Sequence, residues 1–488
     1  MTNKVIVCNT GALAAKYGAG LNRIHVAVQA LIAADSTRGI RTHYIALDDT
    51  TTMQAFGGHP VTASGDPCQN KDAIDAVFRA LKPGYILILG APDLVPHQDL
   101  ANPLFHEYND PDPIAWSDLP YACEAPYSQS ARNFIGPTRV VGRLPDVTGS
   151  SDPNYLIRII NLAADYRPAH PADYGPYLGV TSPEFSGSSA LTLQASFGST
   201  SDMQTCPADG PPWPPPFFSR KSHFFNCHGY SSDPNFYSNS CDSWPIALDA
   251  ASVPGNLAQG TVIATEACYG AQLYAPSTEP QRRMGMANTY LAAGCCAYFG
   301  STTLDYGGLP DNNRADLLCQ YFLDSILAGA SSGRAALEAR QRYARDNPSN
   351  YADDLKTLAQ YVLLGDPSVI PVQSATVLQT VDARADRRNR LELAGREILR
   401  TRAVCGDRLT TPLSAALTWE LSAIARRFGL ENPAILTFTI ENPQARSTEY
   451  HVIMSTRRLP NAPGPQVTLI EVEARGEEIV SVRRCVSH

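Results

Sequence analysis

The chain has 488 residues, of which 44% are hydrophobic and 18% charged, with a formal net charge of −8. That is a globular composition, long enough for two or three domains. It carries no basic stripe interleaved with aromatics, so a nucleic-acid partner is excluded. Nowhere do apolar residues approach the ~18 in a row of a membrane span.

The chain starts Met1-Thr2-Asn3-Lys4 and runs straight into an apolar strand, with no leader-like h-region. The expected setting is cytoplasmic, with no membrane partner. Twelve cysteines show no repeated Cys-x-x-Cys spacing, so no zinc ribbon or thioredoxin motif is present. They read as buried reduced thiols, and no metal or cofactor is expected.

In chain order, Val5–Cys8 reads as a strand, Leu21–Ala33 as a helix and Thr42–Leu47 as a strand. Asp72–Leu81 follows as a helix, then Tyr85–Leu89 as a strand. These strands are continuous apolar runs, the pattern of a parallel sheet buried on both faces. Arg139–Val141 is a further strand, followed by Gly142-Arg143-Leu144-Pro145. Asn154–Tyr166 reads as a linking helix. A second series then begins with strands at Tyr177–Thr181, Ser222–Asn226, Thr261–Thr265 and Cys295–Phe299. Helices are expected at Arg283–Ala293 and Ala315–Ala328. Pro207–Phe218, rich in proline, fits neither helix nor sheet interior and reads as an exposed loop. After Pro371 the texture changes. Ala375–Ala403 is Arg-rich with helical spacing, and its charges read as a solvated face. Leu436–Ile440, His451–Ser455 and Val467–Val472 alternate like half-exposed antiparallel strands. The division is 1–155, 156–375, and a C-terminal α+β module at 376–488.

Two strand ends present reactive side chains. One is Phe224-Phe225-Asn226-Cys227-His228-Gly229, the other Thr265-Glu266-Ala267-Cys268-Tyr269-Gly270. Open parallel sheets build sites beyond the carboxyl ends of their strands. If these strands are neighbours, His228 and Cys268 meet. A thiolate is a strong nucleophile, and an imidazole can take and return its proton. The N–H groups of Gly229 and Cys268 could form an oxyanion hole. Taken singly, a His after a strand is more often structural and a buried Cys more often core. Their pairing on consecutive strands is what points to chemistry. Cys227 reads as a spectator, since alternation turns it away from His228.

His-Gly after one strand and Ala-Cys-x-Gly after the next resembles the caspase-like (clan CD) cysteine peptidases, in particular the gingipain-type family. The segments Tyr85–Pro96, Ser117–Ala122, Val141-Gly142-Arg143-Leu144-Pro145 and Leu364-Gly365-Asp366-Pro367-Ser368 resemble that family's blocks in order. The resemblance covers roughly residues 80 to 372. It departs at Cys227, where the family commonly has Gly, and the family's immunoglobulin-like tail is not evident. It implies a three-layer α/β/α fold with a mostly parallel sheet in two subdomains, the first without catalytic residues. His228 and Cys268 would be its dyad, acting on protein substrates without a cofactor. It also implies a pocket reading the residue before the scissile bond, built from Thr181–Gly187 and Gly300–Tyr306. Its candidates are Glu184, Thr302, Thr303, Asp305 and Tyr306, with an acid selecting Arg or Lys and Tyr306 supplying a wall. By analogy with bacterial caspase-like peptidases, the partner would be a gasdermin-like pore-forming protein cut during antiviral defence. Two other readings stay open: a caspase-fold recognition scaffold, and thiol transpeptidation onto an amine.

Several signals carry less. Tyr17-Gly18-Ala19-Gly20-Leu21 lacks the third glycine and the lysine of phosphate loops. There is no Gly-x-Ser-x-Gly elbow. Asp110, Asp112 and Asp118 could hold a structural calcium ion, although such acids are usually solvated.

Overall fold

In the computed structural model the described residues are 2–206, 213–239, 244–347, 350–373, 381–441, 448–458 and 462–487. A ten-stranded sheet runs through most of the chain. Its order is 40–46, 2–8, 85–89, 141–144, 361–364, 297–301, 262–265, 222–226, 177–181, 203–205. The fold is mixed α/β, with a large, mostly parallel sheet between helical layers and a separate antiparallel sheet.

The apolar runs explain the arrangement. Side chains alternate between the faces of a strand, and here both faces are covered. Val5, Val7, Ile86 and Ile88 enter one core, while Ile6, Cys8, Leu87 and Leu89 enter another on the opposite face. Phe224 and Phe225 divide the same way. At ~25 cal/mol per Å² of apolar surface, double-sided burial is the main force fixing these strands.

Within each half of the sheet the strands are parallel, but the halves meet antiparallel. The Tyr361–Leu364 strand is antiparallel to Ala297–Ser301 and parallel to Val141–Leu144. The carboxyl ends of 177–181, 222–226, 262–265 and 297–301 therefore share one edge, and those of the first half point the opposite way. This is the physical reason that only the second half contributes strand-end chemistry there.

Buried cations tie the first half of the sheet together. Arg143 is fully buried. It donates to Asp118 at 2.8 and 2.6 Å and to the carbonyls of Gly90 and Val95 at 2.8 and 2.7 Å. Burial alone would raise the Asp118 carboxyl, but the Arg143 guanidinium holds it well below the usual carboxylate range. Gly142 is required because a Cβ there would crowd the Gly365 carbonyl. Lys4 pairs with Asp35 at 2.8 Å and with Asp366. Three of the ordered blocks thus converge on Arg143, and the fourth on Lys4. Arg143 lies inside a strand, Val141–Leu144, where the sequence suggested a strand at Arg139–Val141.

The second sheet is antiparallel, in the order 306–308, 478–487, 466–475, 448–457, 434–441, 404–409. The helix Ala415–Arg427 packs Leu417, Leu421 and Ala425 onto one face, against Ile453, Ile470 and Val472. The other face joins the main core, where Phe438, Tyr450, Val452 and Leu469 share a cluster with Phe299, Tyr306 and Leu318. The edge strand Tyr306–Gly308 comes from the chain just beyond Asp305, and pairs with the last strand. The Arg-rich segment forms a helix over Val381–Thr401. The proline-rich stretch departs from expectation at its end. Pro215–Phe218 is one helical turn, allowed because proline at the first helical position loses no hydrogen bond. Residues 207–212 lie outside the described residues.

Among the described residues no helix is long and apolar enough to cross a membrane. No disulfide joins any two of the eleven described cysteines.

Candidate functional site

The strands 222–226 and 262–265 are parallel neighbours, Val262 opposite Ser222 and Thr265 opposite Phe225. Their pairing stops there; His228 and Gly229 then pair with Tyr237 and Phe236 in a small antiparallel sheet, and Cys268 lies three residues past the end of its strand. The main chains touch there. A Cβ on Gly229 would collide with the Cys268 carbonyl, so only glycine fits after His228. Gly229→Ala is expected to push the two strand ends apart, with activity falling more than stability. Thermal midpoint and reactivity of Cys268, measured on one preparation, check this.

His228 is 2% exposed and tightly held. The ring of Phe185 lies 5.1 Å from it and that of Trp244 4.6 Å, both steeply inclined. Its Nε2 is 2.7 Å from Oε1 of Glu184. Glu184 follows the Tyr177–Thr181 strand, the other parallel neighbour of Ser222–Asn226. Three adjacent strand ends thus supply an acid, an imidazole and a thiol. Burial would raise the Glu184 carboxyl, but hydrogen bonds from His228 and Gln466 hold it below its ordinary value. A carboxylate there accepts the Nε2 proton, which leaves Nδ1 as the basic nitrogen of the neutral ring. The sequence offered Glu184 as a pocket acid. The structure places it on His228 instead, and Gln466 Nε2 donates to the same oxygen at 2.9 Å. An acid at the end of a neighbouring strand was the available signal. Phe185 and Trp244 had none.

Cys268 is 3% exposed. Its Sγ accepts from the Asp305 N–H at 3.0 Å and faces the Asp305 carbonyl at 3.4 Å. Burial, then the nearby Asp305 charge, push this thiol well above its ordinary value. In this arrangement it is an S–H group that needs a base. Tyr269, next in the chain, has φ +57. It is fixed there by its N–H on the Thr303 carbonyl at 3.0 Å and its hydroxyl on Asp112 at 2.8 Å. Cys227 Sγ points elsewhere, 3.8 Å from the Val180 carbonyl.

The remaining pocket candidates lie behind the thiol. Thr302 Oγ1 donates to the Trp116 carbonyl at 2.6 Å, and Thr303 Oγ1 to Gln360 at 2.5 Å. The Tyr306 hydroxyl donates to Asp110 at 2.9 Å. The Asp305 carboxylate accepts from Tyr361 at 2.5 Å and Gln360 at 2.7 Å, fully buried. Its partners face it into the core, so in this arrangement it is not presented to a basic side chain. Glu184 is committed to His228 and Gln466.

Burial lifts the Asp305 carboxyl from 3.8 to about 7. The folded chain therefore keeps a proton that the unfolded chain releases above pH ~3.9. Stability contributed by this group is present at low pH and is lost as pH rises towards about 7. Asp305→Asn should lose less thermal stability than wild type between about pH 5 and about pH 8. Paired thermal melts at those two values measure it, and equal losses would contradict it.

The calcium expectation meets a different environment. Asp110 is buried against Lys356, Asn102 and Tyr306, and Asp118 against Arg143 and His97. Each is neutralised within the fold rather than solvated. Asp353, Glu471 and Cys485 present ligand atoms within 4.8 Å of one another. There Arg314 already supplies the cation, paired with both Asp353 and Glu471.

No family model matches the chain, and no curated protein matches it. Among solved structures it is similar to one described as "Structure of Protease", at 12% identity over 99% of this chain and 96% of that chain, with a TM-score of 0.47.

Proposed function

We propose that this chain is a cysteine peptidase in which Cys268 is the nucleophile, His228 the proton carrier and Glu184 the positioning residue. The observation that carries the reading is the ordered series Glu184–His228–Cys268 on three adjacent strand ends. A structural histidine needs one partner. This one has a carboxylate on Nε2, aromatic walls, and a following glycine whose main chain meets that of Cys268.

The chemistry follows from the atoms. His228 Nδ1 takes the thiol proton as Sγ bonds to the carbonyl carbon of a peptide. Negative charge then develops on the carbonyl oxygen, for which we assign the N–H groups of Gly229 and Cys268 as donors. The imidazolium, its Nε2–H held by Glu184, returns the proton to the leaving nitrogen as the C–N bond breaks. Water then attacks the thioester, giving a carboxylic acid and the free thiol. Every step is supplied by the chain and water.

The test is intact mass spectrometry after incubation with peptide acyloxymethylketones that differ in their terminal residue. One adduct mapping to Cys268, absent in Cys268→Ala and slowed in His228→Ala, is the expected result. Adducts spread over other cysteines, or labelling unchanged in His228→Ala, would overturn the assignment. Addition of amines separates hydrolysis from transpeptidation, since an amine acceptor leaves its mass on the product.

A further inference from the structure

We infer that residues 462–466 form a strap over the candidate dyad that keeps it shut until the strap is displaced. The inference rests on the peptidase reading for what is shut, and on geometry alone for the closure. Gln466 Nε2 donates to Glu184 Oε1 at 2.9 Å, the oxygen that His228 Nε2 meets at 2.7 Å. Gly464 lies so close to the Tyr230 ring that a Cβ would overlap it, and only Gly229 separates Tyr230 from His228. His228 and Cys268 themselves are 2% and 3% exposed. A peptide carbonyl cannot reach Sγ without something moving.

The strap is anchored beyond the site. On one side the Thr456 hydroxyl lies 2.9 Å from the Tyr108 carbonyl and 2.7 Å from Asn109 Oδ1, with its one proton to share between them. On the other, Val467 N–H donates to Ser487 Oγ at 2.8 Å, inside the antiparallel sheet. Residues 457–466 lie between the anchors, and the part next to the site is Ala462-Pro463-Gly464-Pro465-Gln466. Two prolines remove two N–H groups, so this segment cannot complete a hydrogen-bonded ladder along the cleft. Its end is fixed where Gln466 pairs with Arg457 in the antiparallel sheet, but over the site it is held by a glycine against a ring and one amide on a carboxylate, and such loop segments open locally without global unfolding. The prolines also make it a poor substrate. Cleavage at Ala462–Pro463 or Gly464–Pro465 would have to expel a ring nitrogen, and the segment lacks the N–H groups by which extended chains dock. A substrate segment entering the cleft has to displace the strap.

The test uses the full chain with Gly464→Leu, whose side chain competes with the Tyr230 ring, and Gln466→Ala, which removes only the amide contact. Iodoacetamide modification of Cys268, followed by intact mass and peptide mapping, reads access without requiring catalysis. Casein digestion by the same samples reads peptidase activity. Thermal melts confirm that the variants are folded. The expected result is slow modification of wild type and a rate about ten-fold or more higher in at least one folded variant. Equal rates in wild type and both folded variants, or fast modification of wild type, would overturn the strap. Faster modification without casein digestion would uphold the strap and sink the peptidase reading.

Discussion

Glu184→Gln is expected to lower kcat by roughly 10²–10⁴-fold while KM changes little. Glu184 holds the imidazole by accepting its Nε2 proton, at 2.7 Å. A glutamine can turn its amide N–H towards the same nitrogen. That stabilises the other tautomer, with the proton on Nδ1, where the base is needed. Gln466 resists that turn, because it donates to the same oxygen that His228 uses, which places the expected loss towards the lower end of that range. The change leaves the shape and packing of the site in place, so binding should survive while proton transfer fails. Steady-state kinetics with separate kcat and KM, and a pH profile of kcat/KM, measure it. A variant that lost only stability, with both parameters intact per folded molecule, would make Glu184 structural.

Arg314→Ala should destabilise the chain by about 3–5 kcal/mol near neutral pH. Arg314 is 2% exposed and paired with Asp353 and Glu471, themselves 0% and 4% exposed. It joins the segment after Asp305 to the antiparallel sheet, since Glu471 lies in the Gln466–Arg475 strand. Removing the cation strands two buried carboxyl groups. Their only relief is to take up protons, which raises their folded-state affinity for protons above the unfolded one. The variant's deficit must therefore shrink as pH falls and grow as pH rises. Urea denaturation of wild type, Arg314→Ala and Arg314→Met at about pH 5 and about pH 8 tests both size and sign. The Met variant keeps the apolar stem and separates charge from packing. A loss below about 1 kcal/mol in both variants at the higher pH would mean that the pair behaves like a surface contact.

Much of the fold can be read from local pattern. Tyr85–Leu89, Tyr177–Thr181 and Ser222–Asn226 have the bounds that their apolar runs suggest. The two later strands are buried at every position, polar His223 included. The expected mixed α/β architecture with a mostly parallel sheet is what the chain adopts. The antiparallel seam between Tyr361–Leu364 and Ala297–Ser301 has no local sign. Direction is set by which strand a segment meets, and nothing in Tyr361-Val362-Leu363-Leu364 encodes it. The edge strand Tyr306–Gly308 is a similar case, because its partner is the last strand of the chain.

The candidate site divides along the same line. Residues on adjacent strand ends, such as His228 and Cys268, follow from order and register. The place of Glu184 depends on a one-turn loop after its strand, and loop direction is decided by tertiary contacts. Asp305 reads in the sequence as a pocket acid beside a reactive strand end. It lies inward because Tyr361 and Gln360 wait at the start of another strand, a pairing across more than fifty residues of chain. Gln466 over Glu184 spans far more.

The most direct measurement is digestion of an unbiased peptide library, read by mass spectrometry, with Gly464→Leu and with Gly464→Leu/Cys268→Ala. The account predicts cleavage by the first and none by the second, with His228→Ala in the same background nearly silent. Cleavage that survives loss of Cys268 would contradict it. So would a silent Gly464→Leu protein whose Cys268 is freely alkylated.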